Sequence, residues 1–384
     1  MIMNIQLLNK IAAVGLNQLD DSYNVGENIE NPDGIMVRSA VMHEMEFAPS
    51  LKAIARAGAG VNNIPIERCS ESGIVVFNTP GANANGVKEL AICALLLAAR
   101  DIVGGIAWAN TLTEDVAKQV EKGKSKFAGT ELMGKTLGVI GLGAIGGKIA
   151  NTAIHLGMNV IGCDPFLSIE GAWNLNHRVS RAATYDEVFE KSDYITLHVP
   201  ATKDTKNMIC AESIAKMKNG VKIINLSRAD LVNAAELKAA LAEGKVSAYV
   251  TDFPTEEVIN NPGVVAIPHL GASTEESEDN CAVMTARELD DYLKNGNIKN
   301  SVNYPNVEMP RSGAARICVL HQNVPSILTK ITAAVADEGL NIENMTNKSK
   351  GENAYTVLDV SSTPSDDAIA RIASVEGINR VRVI

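Results

Sequence analysis

The chain has 384 residues, of which 46% are hydrophobic and 21% charged, with a formal net charge of −10. This length suggests two or three domains with sizeable cores. The acidic balance, without any Lys/Arg block, argues against nucleic acid or an anionic membrane surface as partner, and no apolar run approaches the ~20 residues needed to span a bilayer. The N-terminal stretch MIMNIQLLNK has no basic start before its apolar part and reads as a strand, not a signal peptide. Candidate strands follow at 34–40, 51–57 and 73–79. A helix is then expected over 86–103, with Leu90, Cys93, Ala94 and Leu97 at helical spacing. Further strands are expected at 136–143, 159–164, 194–200, 221–227, from 247 to Asp252, and at 264–269, with alanine-rich helices between them. That alternation predicts doubly wound parallel sheets, an α/β fold. An amphipathic helix over 274–293 leads into a polar connection, KNGNIKNSVNYPNVEMPRSG, which is read as a hinge. The last segment, 315–384, has the βαββαβ order of a small ferredoxin-like module. Six cysteines (Cys69, Cys93, Cys163, Cys210, Cys281 and Cys318) stand singly, which fits a reducing cytosol and gives no zinc signature.

The strongest local signal is Gly141-Leu142-Gly143-Ala144-Ile145-Gly146, directly after the strand LGVI and opening a helix. Gly141 permits a tight turn, Gly143 lets the backbone approach a pyrophosphate, and Gly146 lets the helix pack close to the sheet. The helix start adds free N–H groups and partial positive charge. Asp164 ends the next strand, where a carboxylate accepts hydrogen bonds from ribose hydroxyls and repels a 2′-phosphate. No arginine follows it closely in sequence, so NAD is expected over NADP.

Three later strands end in groups capable of acid–base chemistry. Arg228 follows 221–227, Asp252 and Glu256 follow the next strand, and His269 follows 264–267. Taken singly, each has a plainer reading: Arg228 as a surface ion-pair residue, Glu256 and Glu257 as solvated loop acids, His269 as a structural imidazole. Together, on consecutive strand ends of a nucleotide-binding sheet, they point to a catalytic constellation.

The blocks VIGLGAIG, HVPATKDT, INLSRADLVN, DFPTEE and PHLGASTEE resemble the D-isomer-specific 2-hydroxyacid dehydrogenases over essentially the whole chain. The resemblance implies a Rossmann-type NAD domain over 86–271 and a flavodoxin-like substrate domain formed by 1–85 and 272–310. It also implies that 315–384 is an ACT domain. It assigns Arg228 to the substrate carboxylate, His269 to proton transfer and Glu256 to orienting the imidazole. It further implies cofactor contacts from Gly141, Gly143, Ala144, Ile145, Gly146, Asp164, His198, Val199, Pro200, Leu226, Ser227 and Asp252. In this chain Ala229 stands where the family has glycine, and without a gap Thr251, not Asp252, takes the family aspartate's place.

The substrate loop NTPGANANG (78–86) resembles that of the family members acting on a phosphorylated substrate. Arg38, Ser39 and Asn83 match phosphate-facing positions; their plainer readings are an exposed strand-end charge and turn residues. The implied reaction is oxidation of 3-phospho-D-glycerate, with glyoxylate or hydroxypyruvate reduction as the alternative. A non-enzymatic NAD-sensing protein is a third reading, against which the three catalytic groups speak. In the C-terminal module, His321, Asn323 and Asn341 match positions that bind an L-serine effector, although Ser326 replaces a usual glycine. The resemblance also implies a cytoplasmic homodimer or homotetramer.

Overall fold

In the computed structural model, which describes residues 2–384, the first apolar runs form β1 (Met3–Leu7), β2 (Tyr23–Gly26), β3 (Gly34–Val37), β4 (Ala53–Arg56) and β5 (Val75–Phe77). They pair in parallel in the order β2-β1-β3-β4-β5, the flavodoxin-like order. Every residue of β3 and β5 is buried, as continuous apolar runs in parallel sheets should be. The sequence reading missed β2, whose four residues include only two apolar side chains.

The chain divides into two compact units, one formed by Met1–Ala82 and Glu278–Ile384, the other by Asn83–Ser277. In the first unit the helix Glu275–Asn295 packs Ala282, Ala286, Leu289 and Leu293 into the core beneath β1 to β5. One acid on it is anomalous. Glu288 is 7% exposed; its Oε1 accepts from Asn300 Nδ2 at 2.6 Å, and its Oε2 has no partner. Burial pushes its pKa up to about 8 from an ordinary 4.5. The folded state therefore keeps a proton that the unfolded chain releases above about pH 4.5, and stability should fall as pH rises from there through about 8. Glu288→Gln is expected to remove that slope, gaining on the order of 1–3 kcal/mol at pH 8.5 over the wild type and nothing at pH 4. Urea unfolding at both pH values measures it; an equal gain at both would show that Glu288 does not hold the proton.

The second unit opens with the helix Ala84–Ala99, which stops sooner than its alanine content suggests. Arg100 is extended, and the Asp101 side chain caps a new helix, Ile102–Ala109, by accepting the Gly104 N–H at 2.9 Å. The parallel sheet comprises β6 (Thr136–Ile140), β7 (Asn159–Cys163), β8 (Val179–Arg181), β9 (Tyr194–Leu197), β10 (Val221–Asn225), β11 (Val246–Thr251) and β12 (Val264–Ala266). Its order, β12-β11-β10-β9-β6-β7-β8, reverses direction between β6 and β9, the switch point at which such sheets bind ligands. The sequence reading missed β8, a three-residue edge strand with two exposed positions.

The C-terminal segment forms β13 (Ala315–Gln322), β14 (Ile342–Lys350), β15 (Asn353–Val360) and β16 (Ile378–Val383), an antiparallel sheet in the order β14-β15-β13-β16. Alternation explains why β13 is apolar on both sides. Ile317 and Val319 pack with the helices Ile327–Asp337 and Asp366–Ala373, while Cys318 and Leu320 join the core of the first unit. Ser326, at the position where glycine is usual, takes the left-handed φ of 65° at the start of the first helix.

The connection expected to be a hinge is not a free tether. Ile298 and Val307 form a bridge, and Ile298, Tyr304 and Val307 are fully buried. Tyr304 Oη donates to Ser70 O at 2.8 Å, and Tyr355 Oη donates to Gly296 O at 2.6 Å. Apolar residues spaced through a polar stretch anchor it, and composition alone does not reveal that. Among the described residues no single helix is long and apolar enough to cross a membrane, and none of the six cysteines is in a disulfide.

Candidate active site

The glycine turn follows β6 at the switch point. Gly141 has φ 87°, and a Cβ there would lie 2.4 Å from the His198 carbonyl oxygen. A Cβ on Gly146 would come within 1.9 Å of the Gly141 oxygen, whereas nothing approaches Gly143 within 4 Å. Two positions thus need glycine for packing, and the third leaves its backbone open to a ligand. Ala144 and Ile145 complete the turn into the helix Gly146–His155. Asp164 is held by backbone donors: Leu142 N–H to Oδ2 at 2.8 Å and Phe166 N–H to Oδ1 at 2.9 Å. Each oxygen keeps a lone pair for a ribose hydroxyl. A cavity of about 640 Å³ extends from Leu142 and Asp164 to Arg181 and Ala182.

His198, after β9, has Nε2 hydrogen-bonded with Thr196 Oγ1 at 2.7 Å, while its buried Nδ1 has no partner. Burial lowers its pKa to about 3, so the ring is neutral beside the glycine turn. Val199 and Pro200 follow it along the rim. Ser227 Oγ donates to Leu197 O at 2.7 Å, which fixes Leu226-Ser227 against β9. The open backbone at Gly143, the orphan His198 Nδ1 and the pre-oriented Asp164 carboxylate together fit a dinucleotide. Arg181 borders the same cavity, a neighbour hidden from the sequence because it arrives on β8, 17 residues after Asp164. With Asp164 dominant, NAD should bind more tightly than NADP. Asp164→Ala should then shift the Kd ratio towards NADP by about tenfold or more, with Arg181 available to the 2′-phosphate. Fluorescence titration of both reduced cofactors reads this; an unshifted ratio would remove Asp164 as the discriminator.

The catalytic candidates converge on one aromatic ring. Buried Asn225 shapes the turn after β10: its Oδ1 accepts the Ser227 N–H at 3.2 Å and its Nδ2 donates to the Arg228 carbonyl at 2.8 Å. This presents the exposed Arg228 guanidinium 5.3 Å from the centroid of Phe253. The imidazole of His269 packs against the same ring, with centroids 4.4 Å apart and planes tilted 48°. The parallel register of β11 and β12, continued by the Ile267 N–H to Thr251 O bond of 2.8 Å, brings 251–253 beside 267–269. Phe253 was missed as a site residue, because an aromatic after a strand carries no chemical signal of its own. Asp252 is 2% exposed with Oδ1 unpartnered. Burial raises its pKa, opposed by the charges of His269 and Arg228. Glu256 is exposed and makes neither hydrogen bond nor ion pair with the described residues.

In the first unit, Arg38 and Ser39 follow β3. Asn9 Oδ1 accepts the N–H groups of Arg38, Ser39 and Ala40 at 2.9, 2.9 and 3.0 Å, and Arg38 pairs with Glu278 at 2.7 Å. Arg56, on the adjacent strand end, donates through Nε to the Arg38 carbonyl at 3.1 Å. Only the register of β3 and β4 reveals that second guanidinium. Asn83 stands at the N-terminus of the helix Ala84–Ala99, its side chain making no cap hydrogen bond. Among the effector candidates, Asn323 and Asn341 are exposed. His321 is buried, with Nδ1 bonded to Gln322 O and Nε2 to Thr356 Oγ1, so its ring has no free donor for a ligand.

The strand order, the glycine turn and the ribose-side carboxylate define a Rossmann-type dinucleotide-binding protein. Residues 95–271 match the family model "D-isomer specific 2-hydroxyacid dehydrogenase, NAD binding domain". The chain is 32% identical to the D-3-phosphoglycerate dehydrogenase of Escherichia coli, over 88% of this chain and 82% of that protein. Identity to the enzyme of Methanocaldococcus jannaschii is 37% over 82% of this chain, which spans only 59% of that longer protein. It likewise covers 52% and 54% of the corresponding Archaeoglobus fulgidus and Bacillus subtilis proteins. Among solved structures, NAD+-bound 3-phosphoglycerate dehydrogenase of Entamoeba histolytica superposes with a TM-score of 0.62 at 30% identity, covering 79% of this chain and 99% of that one. Rhodotorula graminis D-mandelate dehydrogenase, at 23% identity and a TM-score of 0.69, shares the fold. The chain belongs to the D-isomer specific 2-hydroxyacid dehydrogenase family.

Proposed function

We propose that the protein oxidises 3-phospho-D-glycerate to 3-phosphooxypyruvate with NAD, the first step of L-serine biosynthesis. The observation that carries this is the placement of Arg228 and His269 against one ring, Phe253, on the strand ends of the dinucleotide domain. Arg228 grips the substrate carboxylate through two parallel N–H donors and so selects which face of C2 is presented. Neutral His269 takes the C2 hydroxyl proton; in reduction the imidazolium returns it. Bound NAD supplies the hydride acceptor. Asp252 lies buried on the neighbouring strand end, and Glu256 is the acid that pairs with the ring when substrate is bound. Arg38 and Ser39 recognise the phosphate, with Asn83 as a further donor and Glu278 as the anion that the phosphate displaces from Arg38.

Steady-state kinetics on phosphoglycerate and hydroxypyruvate test the substrate. Arg38→Ala should raise KM for phosphoglycerate about 10- to 100-fold and leave that for hydroxypyruvate nearly unchanged. An unchanged phosphoglycerate KM refutes the phosphate role, and faster turnover of hydroxypyruvate by the wild type would favour the reductase reading. The βαββαβ topology supports an ACT-type regulatory module with Asn323 and Asn341 facing an L-serine effector; activity unaffected by millimolar serine would leave it a purely structural module. The helix Ile102–Ala109 has no buried residue, and its Val103 and Ile106 are 48% and 58% exposed, which supports a homodimer or homotetramer. Sedimentation velocity decides the assembly.

A further inference from the structure

Within the first unit, a cleft of about 600 Å³ lies between the end of β5, the connection and the C-terminal sheet. Its floor is Asn300–Ser301, strapped to the end of β5 by the Phe77–Ser301 bridge and by the Asn78 N–H to Asn300 O bond of 3.3 Å. Asn78 forms one wall, Asn306 a second, and Ser349 with Lys350 a third; no carboxylate lines the cleft. Lys350 Nζ donates to the Ser301 carbonyl at 2.8 Å and pairs with no acid. Partial burial lowers its pKa, and no neighbouring charge opposes the shift. The side chains of Asn306 and Ser349 make no hydrogen bond with the described residues. Asn306, Ser349 and Lys350 are exposed at the mouth of the cleft, so the ammonium and the amide and hydroxyl donors are all accessible to an anion from solvent. The volume is that of a small-molecule site.

We propose that this cleft binds a small organic monocarboxylate of amino-acid or keto-acid size, with Lys350 as its ion partner and Asn306 and Ser349 donating to its oxygens. A single ammonium balances one carboxylate, whereas a phosphate dianion would keep a charge unpaired. Because Asn78 begins the 78–86 loop, occupancy changes the KM for substrate, a coupling that rests on that loop's proposed substrate-facing role.

The test is calorimetric titration with pyruvate and with inorganic phosphate at constant ionic strength, on full-length protein carrying Arg228→Ala and Arg38→Ala so that neither the catalytic arginine nor the proposed phosphate contact contributes anion binding. Pyruvate should bind saturably at millimolar concentration. Lys350→Met or Asn306→Ala, added separately and checked for unchanged thermal midpoints, should weaken it about tenfold or more, and phosphate should bind more weakly than pyruvate. Absence of saturable pyruvate binding, binding indifferent to both substitutions, or tighter phosphate binding would each overturn the proposal. This readout needs no turnover, so its failure is separable from failure of the proposed activity. For the coupling, the substrate KM of the Arg228-containing enzyme should respond to L-alanine, and Lys350→Met should abolish the response; an unresponsive KM refutes it.

Discussion

Replacing His269 by alanine is expected to lower kcat by about 10²–10⁴-fold while leaving NAD affinity and thermal stability near wild type. The reasoning is local. His269 is exposed, and its imidazole makes a ring–ring contact with Phe253. Little folding energy rests on it, and the glycine turn and Asp164 lie elsewhere on the sheet. In the proposed mechanism, what is lost is the group that takes the proton as hydride leaves C2. Arg228 stays over Phe253, and with the proposed carboxylate contact intact, substrate KM should change far less than kcat. Steady-state and cofactor-binding measurements on one preparation read all of this, and a variant with near-normal kcat would take His269 out of the mechanism.

The second large effect concerns the C-terminal sheet. Arg316 is fully buried and holds Asp359 in a two-pronged pair, Nε to Oδ1 at 2.6 Å and Nη2 to Oδ2 at 2.9 Å, while Nη1 donates to Asn295 O at 2.8 Å. Asp359 also accepts the Ser312 N–H at 2.8 Å. The pair therefore ties β13, β15, the end of the helix Glu275–Asn295 and the connection together. Asp359→Ala leaves a buried guanidinium without its counter-charge and should cost about 3–5 kcal/mol. Replacing both partners by leucine should recover most of that loss, since it removes the orphaned charge along with the pair. Because Cys318, Leu320, Tyr355 and Val357 share a core with β1 to β5, urea unfolding of Asp359→Ala should destabilise the C-terminal sheet and the rest of the first unit in one transition. A loss below 1 kcal/mol, or selective melting of 315–384, would contradict the shared core.

Local chemistry was legible in the sequence. The glycine turn needs only a strand, three glycines and a helix start in succession, and Asp164 closes the next strand; these relations span a few dozen residues and survive any packing. The βαββαβ module was legible for the same reason, since its elements follow one another in simple alternation. Neighbours brought by strand pairing were not. Arg181 reaches the ribose-side cavity on β8, too short and too polar to signal a strand. Arg56 lies beside Arg38 only through the register of β3 and β4, and Phe253 becomes the shared platform of Arg228 and His269 only through that of β11 and β12. Spacing also could not say how far each acid is buried: Glu256 and Asp252 are four residues apart, and only the direction of each side chain separates an exposed acid from a buried one.

The sequence by itself determined the fold class, the dinucleotide turn and the strand ends on which the chemistry sits, because hydrophobic periodicity and glycine stereochemistry act over short stretches of chain. Tertiary structure alone decided that the connection is buried, that the C-terminal sheet completes the core of the first unit, and that Lys350 stands unpaired over a cleft. Burial and charge pairing depend on residues hundreds of positions apart, and no local pattern encodes which of them will meet.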